Sequence, residues 1–238
     1  MAQSDLDIRA RAFAQNLRNL LNKTVCDTAQ VAARLDPPRS MYVGTGVTGD
    51  TPFGGAIGLS ISRKAPHCWL NAGYYVVINE NGFLTVSNSF VGVSADPAGK
   101  VSLVHYDFER DKDQHPAEDQ RYTEAHLQID AASKALTALS KAAPGAPKDL
   151  DKLHLPVGGR RFRPCLEDVI EFLIRERLVA KKRTWEMVLR QSRQDFQDRQ
   201  LGAAIRHRPE IAIRELDAMG YEVVQREKSP SRARTRRR

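Results

Sequence analysis

Cysteine is scarce. Cys26, Cys68 and Cys165 are the only three in 238 residues, and no two form a C-x-x-C pair. An odd, scattered set of this kind excludes a disulfide framework and a cysteine-based zinc finger, and each thiol reads as a small buried hydrophobe. Long apolar runs are also missing. No stretch approaches the ~20 residues that a membrane-spanning helix needs, so no membrane association is expected. The opening "MAQSDLDIRARAF" lacks the basic-then-apolar layout of a signal peptide, and the expectation is a cytoplasmic protein. The glycine spacing of "LHLPVGGRRFRP" (153–164) fits neither G-x-x-x-x-G-K-[ST] nor G-x-G-x-x-G. No cofactor and no metal are expected.

Acidic residues are absent from "KSPSRARTRRR" (228–238), which carries Lys228, Arg232, Arg234, Arg236, Arg237 and Arg238. The chain's net charge is +8, and removing these six cations leaves +2 for residues 1–227. The excess charge therefore belongs to a basic tail expected to be disordered. Such a tail binds nucleic acid or acidic surfaces electrostatically, or serves only as a solubilising terminus.

The rest reads as one α+β domain over residues 1–227. Its parts are an N-terminal helix, an antiparallel sheet of about six strands within 40–130, and a helical segment within 131–220. Leu6, Ala10, Phe13, Leu17, Leu20 and Leu21 recur at helical spacing over 4–22, with Arg9, Arg11 and Arg18 between them. The helix is expected to run to about 35, where "DPPR" stops it. Segments 41–47, 56–62, 68–78, 83–93, 101–110 and 124–130 are rich in β-branched and aromatic residues and alternate with turn residues. "NENG" (79–82) predicts a hairpin. Helices are expected over 131–142, over 164–179 with Pro164 in the first position, and over about 184–207. A fourth opens at Pro209 and closes at Gly220, before a last short strand at 221–224.

"LHLPVGGRRFRP" (153–164) joins a glycine pair to three arginines ahead of a helix. A phosphate cradle is disfavoured there, because Glu167 and Asp168 already complement the helix dipole and would repel an anion. A hairpin turning at Gly158-Gly159 is the simpler reading. Arg161 and Arg163 share one side of its second arm. They either pair with Glu167, Asp168 or Glu171, or engage a phosphate.

The chemistry-bearing residues lie upstream. In "VSLVHYDFER", His105, Asp107 and Glu109 point to one side, while Val104, Tyr106 and Phe108 point to the other. In "EAHLQID", Glu124, His126, Gln128 and Asp130 share a side opposite Leu127 and Ile129. If the two strands are neighbours, two imidazoles and several carboxylates meet. A carboxylate beside a histidine fixes its tautomer for general base work, and histidine with acids is also a metal-ligand set. The same groups equally suit a solvated sheet face or a buried polar network. His115 could join them from the polar loop 111–122. His67 and His207 read as structural.

"LVHYDFERDK", "EAHLQI" and the block from His154 to Pro164 resemble a bacterial protein family of unassigned activity found in high-GC Gram-positive genomes. The resemblance spans about residues 40–225 and implies no chemistry. A fainter likeness is to toxin–antitoxin toxins that set a strand with acidic residues beside a histidine strand and are thought to act on RNA. Gln128 stands where those toxins would have a second histidine.

Two functional readings follow. One is a nucleic-acid-associated protein, a nuclease-like toxin or defence component. In it His105, Asp107, Glu109 and His126 are catalytic candidates, and Arg161, Arg163, Arg236, Arg237 and Arg238 bind phosphates. The other is a non-enzymatic interaction or small-ligand-binding protein with a protein partner and a solvated sheet face.

Overall fold

The computed structural model describes residues 4–61, 65–112, 123–131, 155–157 and 163–224. The expected helix over 131–142, the turn at Gly158-Gly159 and the basic tail lie outside the described residues. The fold is α+β. Helix α1 (Asp5–Thr24) precedes strands β1 (Val31–Asp36), β2 (Ser40–Thr45), β3 (Ile57–Leu59), β4 (Cys68–Ile78), β5 (Leu84–Ser94), β6 (Ser102–Glu109), β7 (Ala125–Ile129) and β8 (Leu155–Pro156). Helices α2 (Leu166–Arg175), α3 (Trp185–His207) and α4 (Pro209–Ala218) follow. The chain divides into two compact units, Met1–Phe196 and Gln197–Arg238.

Local chemistry sets the helix ends. Ser4 caps α1 by accepting a hydrogen bond from the Asp7 amide at 3.2 Å, and Asp5 and Asp7 complement the positive end of the dipole. The expected extension of this helix to residue 35 is corrected. α1 stops at Thr24, and 31–36 form an edge strand. "VAARLD" has fair helix propensity, but six backbone pairings with β2, from Val31↔Thr45 to Asp36↔Ser40, override it. α2 is also shorter than expected. Leu166, not Pro164, is its first residue, and the N–H of Cys165, which caps it, donates to the Asp168 carboxylate at 2.8 Å. At its far end Arg177 adopts φ 60°, the Leu178 N–H returns to the Leu173 carbonyl, and the Arg177 N–H returns to Ile174. That is a Schellman stop with arginine in the position glycine usually takes.

All strand pairs are antiparallel, in the order β1-β2-β4-β5-β6-β7-β8, with β3 beside the start of β4. All six expected strands are present. β4 and β5 form a hairpin closed by the Asn79 side chain, which accepts from the Asn81 and Phe83 amides, with Gly82 at φ 77°. α1 and α2 cover one face of the sheet. Leu21, Val43, Leu70, Val76, Ile170 and Leu173 are fully sealed between them. Each contributes about 1.5–3 kcal/mol relative to an exposed position. Within the same unit, α2 and the start of α3 are joined by Ser192 to Glu167 and by Arg193 to Asp168 (2.9 Å) and Glu171 (2.5 Å).

The second unit contains the end of α3 and all of α4. Pro209 opens α4 as expected, and Gly220 follows it at φ 85°. The strand expected at 221–224 is not formed. These four residues are exposed and pair with no strand among the described residues.

The opposite face of the sheet, which no helix covers among the described residues, is bent. β5 carries an extra residue, Ser87, opposite Tyr75/Val76, and β6 carries one, Leu103, opposite Val93/Ser94, and both increase local twist. Glycines there let rings lie against the backbone. A Cβ on Gly73 would sit 2.3 Å from the Tyr42 hydroxyl, and one on Gly92 would sit 2.5 Å from the Phe90 ring. Tyr42 is buried and cannot swing away, whereas Phe90 is 38% exposed and can. Gly73→Ala is therefore expected to destabilise the fold by about 1–3 kcal/mol, in the range of overpacking, and Gly92→Ala by clearly less. Urea denaturation midpoints of the two variants test this, and equal losses would contradict it.

Candidate acid–base site

β6 and β7 are neighbours, and their register is what brings the polar residues together. Asp107 lies opposite His126, and His105 opposite Gln128. Val104, Tyr106, Leu127 and Ile129 pack toward the helices, so alternation turns His105, Asp107, His126 and Gln128 to the uncovered face.

One carboxylate oxygen holds two imidazoles. Asp107 Oδ2 is 3.4 Å from His105 Nε2 and 3.4 Å from His126 Nε2. His105 Nε2 also lies 2.6 Å from Gln128 Oε1. A hydrogen on that nitrogen satisfies the amide oxygen and leaves Nδ1 as the basic nitrogen of the neutral ring. The ring stacks on Phe90 with centroids 5.5 Å apart. His126 is 4% exposed, and its Nδ1 faces the Thr123 carbonyl at 3.3 Å. Both of its nitrogens therefore face oxygens. Asp107 and His105 keep a quarter to a third of their side-chain surface open, so the centre can be reached from solvent.

Asp107, Glu109, His126 and Gln128 form one end of a cavity of about 460 Å³. The other end is aromatic: Tyr42, Phe53, Tyr75 and Phe90 surround the bare backbone of Gly73. Tyr42 meets Phe53 and Tyr75 edge-on, with centroids 5.9 and 5.2 Å apart. Burial raises the Tyr42 hydroxyl above its ordinary value, with Tyr75 adding to it, so this phenol is a hydrogen-bonding group and not a base at neutral pH.

The remaining sequence candidates fall elsewhere. Glu109 is exposed at the end of β6, pairs with Lys112 at 3.0 Å and borders the cavity rim. Arg163 lies 4.0 Å over the ring of Phe108, on the face that alternation places opposite His105 and Asp107. Burial pushes its guanidinium down to about 10. Glu171 pairs with Arg175 and Arg193, and Asp168 with Arg193. Arg161, His115, Arg236, Arg237 and Arg238 lie outside the described residues. His67 Nε2 is 3.0 Å from the Leu178 carbonyl, a structural contact. No group of three or more His, Cys, Asp or Glu with metal-holding geometry occurs among the described residues. No described helix is long and apolar enough to cross a membrane.

Gln128 and the aromatic hollow were not among the sequence candidates. Gln128 was visible through its alternation with His126. The aromatic residues left a fainter signal, the glycines at 44, 73 and 92 that sit in register with them. No family model, curated protein or solved structure matches the chain.

The thiols take no part in this centre. Burial pushes Cys26 up to about 11 and raises Cys68, and burial with the adjacent Glu167 carboxylate raises Cys165. At pH 7.5 iodoacetamide is expected to modify Cys26 in the folded chain roughly a hundredfold more slowly than in the urea-unfolded chain, following its smaller thiolate fraction. Mass spectrometry of the labelled peptides checks this, and equal rates would contradict it.

Proposed function

We propose that the chain is a nuclease-like protein that cleaves single-stranded RNA by general acid–base catalysis at His105, Asp107 and His126. The observation that carries this reading is the single Asp107 oxygen 3.4 Å from two imidazoles at the edge of an open cavity. The accessible His105 serves as base and then as acid, and the Asp107 carboxylate, braced from behind by His126, orients it. RNA provides its own nucleophile, so these groups suffice for the chemistry. His105 accepts the proton of a 2′-hydroxyl, O2′ bonds to phosphorus, and the P–O5′ bond breaks. His105 then returns that proton to the departing O5′. The products are a 2′,3′-cyclic phosphate and a 5′-hydroxyl.

Phosphate affinity falls to the tail arginines 236–238 in this reading, with Arg161 as a further contributor. Arg163 is less suited, since it packs on the opposite face. Cytoplasmic RNA is the natural substrate of a toxin or defence component of this kind. The alternative, a non-enzymatic interaction protein, finds support in the apolar residues that α4 exposes, Ile213 and Leu216 among them.

The test is incubation of the full chain with an unstructured oligoribonucleotide, its 2′-deoxy counterpart serving as control. The ribo form is expected to be cut to cyclic-phosphate ends and the deoxy form left intact. His105→Ala and Asp107→Asn are each expected to slow cleavage by about 10²- to 10⁴-fold, the usual contribution of a positioned acid or base. Circular dichroism confirms that each variant is folded. RNA that is bound but never cut, with binding lost on deleting 228–238, would replace this reading with the interaction protein.

A further inference from the structure

We infer that the aromatic hollow beside His105 is a nucleobase subsite, so that the RNA strand enters with an unpaired base turned into the sheet. The cleavage reading supplies the identity of the ligand, and the hollow's shape and chemistry supply the rest.

The hollow is built rather than incidental. Its floor is Gly73, where the Tyr42 ring leaves no room for a Cβ. Phe53 and Phe90 stand at its sides, 58% and 38% exposed. Large apolar rings left in water around a shared cavity are the usual mark of a surface that awaits a flat apolar partner. Tyr42 fixes Phe53 and Tyr75 edge-on, while Phe90 lies against His105 with planes 29° apart. A ring seated against Phe90 would therefore adjoin the proposed base.

The polarity also fits a base. The cavity lining holds no cation, and Asp107 and Glu109 stand opposite Phe90 and Asn88, so a phosphate would find no partner at the aromatic end and a neutral heterocycle would. Asn88 stands at the rim, and its side chain makes no hydrogen bond among the described residues. Its amide can donate and accept at once, as the edge of a nucleobase requires. Bases in a duplex are stacked and paired and cannot enter a hollow of this kind, which selects single-stranded RNA.

Calorimetric titration of the folded full chain tests the inference, with 5′-AMP, 5′-UMP, ribose 5-phosphate and a 2′-O-methyl hexamer that has no free 2′-hydroxyl. Either nucleotide is expected to bind at least about tenfold more tightly than ribose 5-phosphate, and the hexamer more tightly than either. Phe53→Ala and Phe90→Leu should each weaken nucleotide binding by about 5- to 150-fold, and Phe90→Tyr should restore it. Ribose 5-phosphate binding as well as the nucleotides would overturn the inference. So would nucleotides that fail to bind, variants with unaltered affinity, or a hexamer no tighter than a mononucleotide. None of these probes has a bond that the proposed chemistry can break. An inactive protein that still prefers nucleotides refutes the cleavage reading alone, and an active one without that preference refutes the subsite alone.

Discussion

The pairing of β6 with β7 is the constraint on which the site depends. Asp107 faces His126 and His105 faces Gln128 only in the observed register. A slip of one residue would turn every side chain of one strand to the other face. That slip would drive His126 toward the helices and expose Leu127 and Ile129. The apolar alternation of Val104, Tyr106, Leu127 and Ile129 against the core excludes it. Backbone bonds from Glu109 to Glu124 and from Asp130 to Leu103 hold the two ends, and β8 flanks β7 through Leu127↔Leu155. The burial that stabilises one face thus positions ionisable groups on the other.

The two faces of the sheet do different physical work. One is sealed by α1 and α2 with aliphatic side chains. The other carries three glycines in register with large rings: Gly44 and Gly73 beneath Tyr42, and Gly92 beneath Phe90. Missing Cβ atoms let the rings lie flat, and the extra Ser87 in β5 bends the strand that carries Phe90. A cavity with one aromatic end and one ionisable end results, with the loop between β2 and β3 adding Phe53 to its aromatic wall. His126 is the link between the faces. Its backbone lies in the sheet interior and its ring is almost sealed, yet both nitrogens reach oxygens.

Much of this was legible in the sequence, for identifiable reasons. The six strands stood out because β-branched and aromatic residues alternate between turn residues. The shared polar face followed from alternation in two segments and needed only their adjacency. β1 reads as helix because "VAARLD" has no strand character of its own and gains it from β2. The end of α2 was misread because an arginine, Arg177, takes the left-handed conformation that glycine would have announced. Arg163 looked like a phosphate ligand from its neighbours in sequence, but its stacking on Phe108 depends on a contact across the sheet that no local pattern encodes. The aromatic hollow has no local signature for the same reason: its glycines and the rings of Tyr42, Tyr75 and Phe90 come from β2, β4 and β5 and meet through register, and Phe53 joins them from the loop after β2.

The central claim is that His105 and Asp107 act as one unit in catalysis. A double-mutant cycle on the cleavage rate tests it most directly, with His105→Ala, Asp107→Asn and the combined variant. Residues that work through one another give a combined loss close to that of the more damaging single change. That is the predicted result. Losses that multiply would mean the carboxylate and the imidazole act independently, and the account of the site would fall.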